Sequence, residues 1–373
     1  MKVERDIAGM TLPFAVGTAT VVWAGGTLCS RPFFSSIAAS LVILGTCVLL
    51  CSPNHRKLDP FTVRTIIAAA FASCGILCGI RAVLIPTGIS STDAIPAWIM
   101  NMGTATGEAI DSIGFRNHDT NAMIKALIVG DRSDIPGHIT EAFRESGASH
   151  ILALSGLHLG IIYGIIGKSL SILGNSVSAR RLRSFATVVT CGLYTLATGA
   201  GASITRAFIF ILLGESAKIT GRYRNLGSVL MVSLLLHLAI DTAAIREVGF
   251  QLSYAAMAGI AFIYPWLKGF WPERTERKSV WFARATGWIW NTAALSISCQ
   301  ITTGPLAYLY FRSFPTHFLL TNLISLPLTG LIIPTALMTL LLNLWGICPE
   351  ILLRATETLV TALSAALKVI SSM

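Results

Sequence analysis

What most constrains this chain is a succession of apolar stretches that no water-soluble core could absorb. Ten of them run near residues 12–29, 33–51, 65–85, 150–173, 185–199, 203–219, 226–240, 248–267, 285–308 and 316–345. A helix needs about 20 apolar residues to cross the hydrocarbon layer of a bilayer. The pattern therefore predicts an all-α polytopic membrane protein, a bundle of about ten transmembrane helices with short interfacial helices. Composition agrees. Hydrophobic residues make up 53% of the 373 and charged residues 12%, with a mean hydropathy of +0.69, whereas soluble domains carry about 25% charged residues.

The net charge of +10 invites a nucleic-acid reading, but its location argues for topology first. Basic residues gather in SPNHRKLD (52–59), SARRLRS (178–184), AKITGRYR (217–224) and KGFWPERTERK (268–278), while the turns near 200 and 241–247 hold few. Lysine and arginine collect in cytoplasmic loops, so the N-terminus and these four loops are expected inside. Three regions follow: N-terminal anchor helices over 1–86, an extracytoplasmic segment over 87–149, and a channel-like bundle over 150–373. In the middle region, IPAWIMNMGTATGEAIDSIGF (95–115) has the mixture of apolar and small polar residues of a helix lying in the interface. After it come a short apolar helix, the turn GDRSD and a helix starting near Pro136 and stopping at Gly147. The last segment, 351–370, has apolar residues at helical spacing and is expected either to lie on the surface or to pack as a partner helix. The eight cysteines lie almost all in apolar stretches without zinc-site spacing, so no metal and no cofactor is expected.

Chemistry concentrates in SHILALSGLHLGIIYGIIG (149–167). Read as one helix at about 100° per residue, it places Gly156, Gly160 and Gly164 on one stripe and Ser155 with His158 roughly opposite. The glycine stripe is the small-xxx-small pattern of closely packed membrane helices. Three readings of the serine and histidine stand side by side: two side chains satisfied within the bundle, a serine nucleophile with its base, or the wall of a hydrated path. Arg206 in GASITRAF, Gln251 and Ser253 in GFQLSY, and Gln300, Thr302 and Thr303 also fall near the outer ends of their stretches. Polar groups from four helices at one depth favour a funnel open to the exterior. Each has a plain structural alternative: Gln251 as a cap, Arg206 snorkelling to the interface, and Glu215 with Lys218 as a helix-end ion pair.

Four collinear blocks carry a resemblance. ALIVGDRSDIPGHITEAFRESGASHILALSGLHLGII (126–162), GASITRAFIF (201–210), DTAAIREVGFQLSYAAMAGIAF (241–262) and GPLAYLYFRSFPTHFLLTNLISLPLTGLIIP (304–334) resemble the competence domain of ComEC-type DNA uptake proteins, over about 119–345. The resemblance implies a bacterial inner-membrane channel that passes single-stranded DNA into the cytoplasm during natural transformation. It implies Asp131, Arg132, Ser155, His158, Arg206, Gln251 and Ser253 as substrate-path positions, with no catalytic residue. Expected partners are single-stranded DNA, membrane lipid, a surface DNA-binding protein and a cytoplasmic helicase or ATPase motor, because the chain has no GxxxxGK[ST] phosphate loop. Full-length relatives typically carry an OB-type domain and often a metallo-β-lactamase-like domain. Residues 86–118 are too few for the first, and the seven histidines form no clustered metal motif for the second. A nuclease of its own is therefore not expected. The alternatives are a transporter of another polar or anionic solute on the same fold, and an intramembrane serine hydrolase using Ser155.

Overall fold

The computed structural model describes residues 2–23, 32–51, 59–84, 95–174, 176–221, 225–271, 280–312 and 316–373. The predicted loops 52–58, 222–224 and 272–278, and the ends of two N-terminal stretches, lie outside these. The described residues are predominantly helical, with no strand among them. In order the helices are α1 (Lys2–Trp23), α2 (Pro32–Cys51), α3 (Pro60–Leu84), α4 (Ala97–Asp111), α5 (His118–Ile128), α6 (Gly137–Glu145), α7 (Ser149–Leu152) and α8 (Gly156–Ser169). They continue with α9 (Val177–Ala197), α10 (Ala202–Ile219), α11 (Leu226–Ile240), α12 (Val248–Ala258), α13 (Tyr264–Lys268), α14 (Val280–Phe311), α15 (Phe318–Leu344) and α16 (Glu350–Ser371). A π turn at Gly259–Ile263 joins α12 to α13.

Within the described residues each predicted apolar stretch is mostly helical, but the count of ten spans does not follow. Five helical segments among the described residues are long and apolar enough to cross a membrane: Asp6–Trp23, Pro60–Leu84, Gly156–Leu173, Val248–Lys268 and Phe318–Leu344. Ser35–Leu49 and Leu226–Ile240 are apolar but shorter. The difference has a physical cause. The SARRLRS run expected in a loop forms the first turns of α9, and α10 carries Arg206, Glu215 and Lys218.

Three apolar clusters hold the helices. One unites α5, α6 and α7 with α15 and α16, through Met123, Leu127, Phe143 and Ile151 against Ile332, Ala336, Leu340, Val360, Leu363 and Leu367. Helix α5 is thereby buried along most of its length, and α16 is a packed partner helix rather than a surface one. Helix α4 exposes Trp98, Met100 and Met102 beside buried Ile99 and Ile110. A second cluster ties Phe14 and Val22 of α1 to Leu230, Leu238, Phe250 and Tyr254 of α11 and α12. The third joins Leu159, Cys191 and Ile204. Helices α1 and α3 cross where a Cβ on Gly17 would come within 2.1 Å of the Ala72 carbonyl oxygen and one on Gly75 within 2.1 Å of that of Phe14. Cys47, Cys74, Cys78, Cys191, Cys299 and Cys348 are free thiols.

Candidate functional site

The predicted site residues fall at or near helix starts: Ser155 and His158 open α8, Arg206 and Gln251 lie in the first two turns of α10 and α12, and Asp131 and Arg132 precede α6. Residues 149–167 are not one helix. The backbone is extended at Ala153 and again at Ser155, whose φ of −127° and ψ of 174° are those of an N-cap. Its Oγ accepts the Leu157 N–H at 3.3 Å, and its own N–H donates to His158 Nδ1 at 3.2 Å. Ser155 Oγ and His158 Nδ1 are 3.0 Å apart. The pair therefore forms a capping box with histidine in the third position, satisfying N–H groups that a helix start leaves unpaired. The expected close packing at the glycine stripe does not occur. Gly156, Gly160 and Gly164 are exposed, and only Gly156 has a neighbour within 4 Å of a notional Cβ, the Ala207 Cβ at 3.4 Å. The polar face is the buried one, because Leu159, Tyr163 and Ile166 take the packing against α9 and α10.

Arg206 sits one residue from that contact and turns to the other side of α10. It is 3% exposed, and its Nη2 donates to the Gly249 carbonyl oxygen at 2.9 Å. Its Nε and Nη1 are buried without a partner, and the guanidinium lies over the Phe250 ring at 5.9 Å. Phe250 also packs edge-on to His237, centroids 5.0 Å apart, and against Tyr254 at 4.6 Å; His237 Nδ1 is unpartnered as well. Far from snorkelling, Arg206 is sealed among aromatic rings. Gln251, a turn into α12, is locked by its Nε2 to the Ile245 carbonyl oxygen and by its Oε1 to the Tyr310 hydroxyl, both at 2.8 Å. Ser253 is half-buried on the same helix.

Asp131 and Arg132 are exposed in the turn between α5 and α6. Asp131 Oδ1 accepts the Ser133 N–H at 3.0 Å and the Ser133 hydroxyl at 2.7 Å, which holds its carboxyl below the usual carboxylate range. The residue that organises this corner is one the sequence reading missed. Lys125 is nearly buried and bridges Asp111 at 2.8 Å and Asp134 at 2.6 Å; these bonds raise the ammonium above the ordinary lysine range. Around them opens a cavity of about 360 Å³ lined by Glu108, Asp111, Lys125, Asp131 and the end of α9 at Ala197–Gly199. Its signal was a lone lysine inside an apolar helix. Neither this cavity nor the one of about 470 Å³ along α16 is lined by Ser155, His158, Arg206, Gln251 or Ser253. The expected substrate-path positions thus fall into separate sets, the Asp131 turn, the Ser155 cap and the region of Arg206 and Gln251, while Thr302 and Thr303 bond carbonyls of their own helix.

The other end of α10 is tied by Glu215, which is 4% exposed. It accepts from the Tyr163 hydroxyl at 2.5 Å, the Ser184 hydroxyl at 2.6 Å and Lys218 Nζ at 2.5 Å. The expected ion pair is there, but Tyr163 and Ser184 make it a junction of α8, α9 and α10.

Comparison with known proteins agrees with the four sequence blocks. The family described as "Competence protein" matches residues 127–373. ComE operon protein 3 of Bacillus subtilis (strain 168) is 26% identical over 219 residues, 58% of this chain and 25% of that one. The uncharacterized protein YcaI of Escherichia coli (strain K12) is 24% identical over 231 residues, 61% of this chain and 30% of that one. The chain thus spans between a quarter and a third of these relatives' length. No solved structure matches. With two-thirds of its length under that family's pattern, on an all-helical framework containing membrane-length apolar helices, this chain belongs to the competence protein family.

Proposed function

We propose that the chain forms the membrane-conducting part of a DNA uptake system, passing single-stranded DNA from the exterior to the cytoplasm during transformation. The observation that carries the reading is Arg206. A buried guanidinium without a bonded carboxylate is among the most costly groups a fold can hold, and here two of its nitrogens are unpaired inside a polytopic helical protein. A phosphodiester supplies the missing acceptors, and the Phe250 and Tyr254 rings beside it are the type of side chain on which unpaired bases stack. The Gly249 and Gln251 contacts then describe the closed resting end of the path.

On this reading the N-terminus lies in the cytoplasm. Lys168, Arg180, Arg181, Arg183 and Lys218 share the Glu215 end of α8, α9 and α10, and basic residues stay on that side. A cytoplasmic ATPase motor and a surface DNA-binding protein are the expected partners. An intramembrane hydrolase at Ser155 is favoured by one contact only, the 3.0 Å Oγ to Nδ1 approach. Against it, Nδ1 already takes the Ser155 N–H, and a catalytic dyad needs that nitrogen for the hydroxyl proton.

The test is uptake of labelled DNA in cells deleted for this gene and complemented with wild type, Arg206→Lys or Arg206→Glu. Uptake is expected to fall with lysine, which keeps the charge but not the fork, and to vanish with glutamate at unchanged protein level. Wild-type uptake with Arg206→Glu overturns the reading.

A further inference from the structure

Helix α15 carries a hydroxyl every fourth residue on its buried face: Thr321, Ser325 and Thr329, each 0% exposed. Thr321 Oγ1 donates to the Ser146 carbonyl oxygen at 2.7 Å. Ser325 Oγ and Thr329 Oγ1 have no partner. That is unusual, because a hydroxyl within a helix commonly donates to the carbonyl a turn back, as Thr335, Thr339 and Thr356 do nearby at 2.8, 2.8 and 2.9 Å.

Helix α8 packs against α15 and brings a third orphan, Nε2 of the fully buried His158. Leu159, Tyr163 and Ile166 face α9 and α10, which leaves His158 and Ile162, about 60–100° round the helix, for α15. The capping box fixes the chemistry of this orphan. Nδ1 accepts the Ser155 N–H, so the neutral imidazole carries its proton on Nε2 and Nε2 is a donor. One N–H and two hydroxyls, all shielded from bulk solvent, stand on facing helices.

Polar atoms buried without partners are rare because each forfeits its hydrogen bonds to water. We propose that α8 and α15 enclose ordered water bonded to His158 Nε2, Ser325 Oγ and Thr329 Oγ1. Its chemistry follows from the neutrality of the seam. Neither α8 nor α15 contains an acidic residue to hold a cation, and their basic side chain, Lys168, lies at the far end of α8. An oxygen that accepts from imidazole N–H and exchanges hydrogen bonds with two hydroxyls is water. From Ser325 to Thr329 the unpartnered hydroxyls span about 6 Å along α15 at 1.5 Å per residue. On its other side α15 is held by the dry cluster around Phe143 and Leu363. The inference does not depend on DNA being the substrate.

Radiolysis of water in place within the full chain in lipid nanodiscs tests it, since hydroxyl radicals formed from bound water oxidise the side chains beside it. Oxidation of His158 is expected to run at least about ten-fold faster than that of Met123, an easily oxidised residue that is 0% exposed within the dry cluster. Oxidation no faster than at Met123 overturns the seam. The double variant Ser325→Ala with Thr329→Val gives a second reading. A wet seam loses two of its anchors and Tm falls by a few degrees. A rise or no change in Tm means the hydroxyls were dry, and also overturns it. Neither measurement involves DNA, so failed uptake and a failed seam remain distinguishable.

Discussion

Ser155 spends its hydrogen-bonding capacity on the first turn of α8. If capping is its role, Ser155→Ala should cost about 1 kcal/mol, the usual value for a lost N-cap, read as a lower Tm in detergent. Ser155→Asp should restore both Tm and uptake, because aspartate caps as well as serine does. A nucleophile would not survive that replacement, so inactive but stable Ser155→Asp would return the hydrolase to consideration. At this scale the sequence paired Ser155 with His158 but misread their geometry. Spacing of three puts Ser155 and His158 on one face of a continuous helix, but the chain breaks at Ala153 to Ser155. Nothing in the local apolar pattern marks that break. Arg206 was legible as unusual, yet its sealing against Gly249 and Phe250 depends on residues more than 40 positions away.

Among the elements, two junctions bear weight. Helices α1 and α3 touch backbone to backbone at Gly17 and Gly75, and no side chain fits at 2.1 Å from a carbonyl oxygen. Gly17→Val or Gly75→Val should push the pair apart and lower both expression level and Tm, whereas Gly9→Val, where nothing lies within 4 Å, should do neither. At the other junction, Glu215→Ala leaves Tyr163, Ser184 and Lys218 without their acceptor. Orphaned buried donors typically cost about 1–3 kcal/mol; Glu215→Gln, which can still accept, should lose less. Thermal unfolding of the two variants side by side checks the order, and equal losses would mean that the charge rather than the hydrogen bonds joins α8, α9 and α10. The sequence offered Glu215 and Lys218 as a pair three residues apart, but Tyr163 and Ser184 reach Glu215 from other helices.

Across the whole molecule, the segment of residues 95–152 is stitched to the rest by charge as well as by apolar packing. Arg116 pairs with Glu350 at 2.9 Å, and the Arg116 N–H donates to Glu357. Lys125, Asp131 and Asp134 give this segment a pH signature whose sign can be worked out. The aspartates titrate below their ordinary range in the folded protein, so their contribution is present above about pH 4 and is lost as pH falls further. Lys125 is raised, so its contribution is whole below about pH 10 and is lost as pH rises through the folded value. A plot of Tm against pH should fall at both ends, and Lys125→Met should lower the plateau and remove the alkaline limb. An alkaline limb that survives the substitution would assign it to another group.

The sequence by itself determined the all-helical membrane character and the family, because apolar length and collinear motifs are properties of the chain read in order. Only the tertiary structure decided which face of α8 is buried, that Arg206 is closed off, that Lys125 holds a corner and that α5 and α16 share a core. The physical reason is that both faces of an apolar helix look alike until a distant segment packs against one of them. Burial, which sets the cost of every unpaired polar atom here, is a property of that non-local choice.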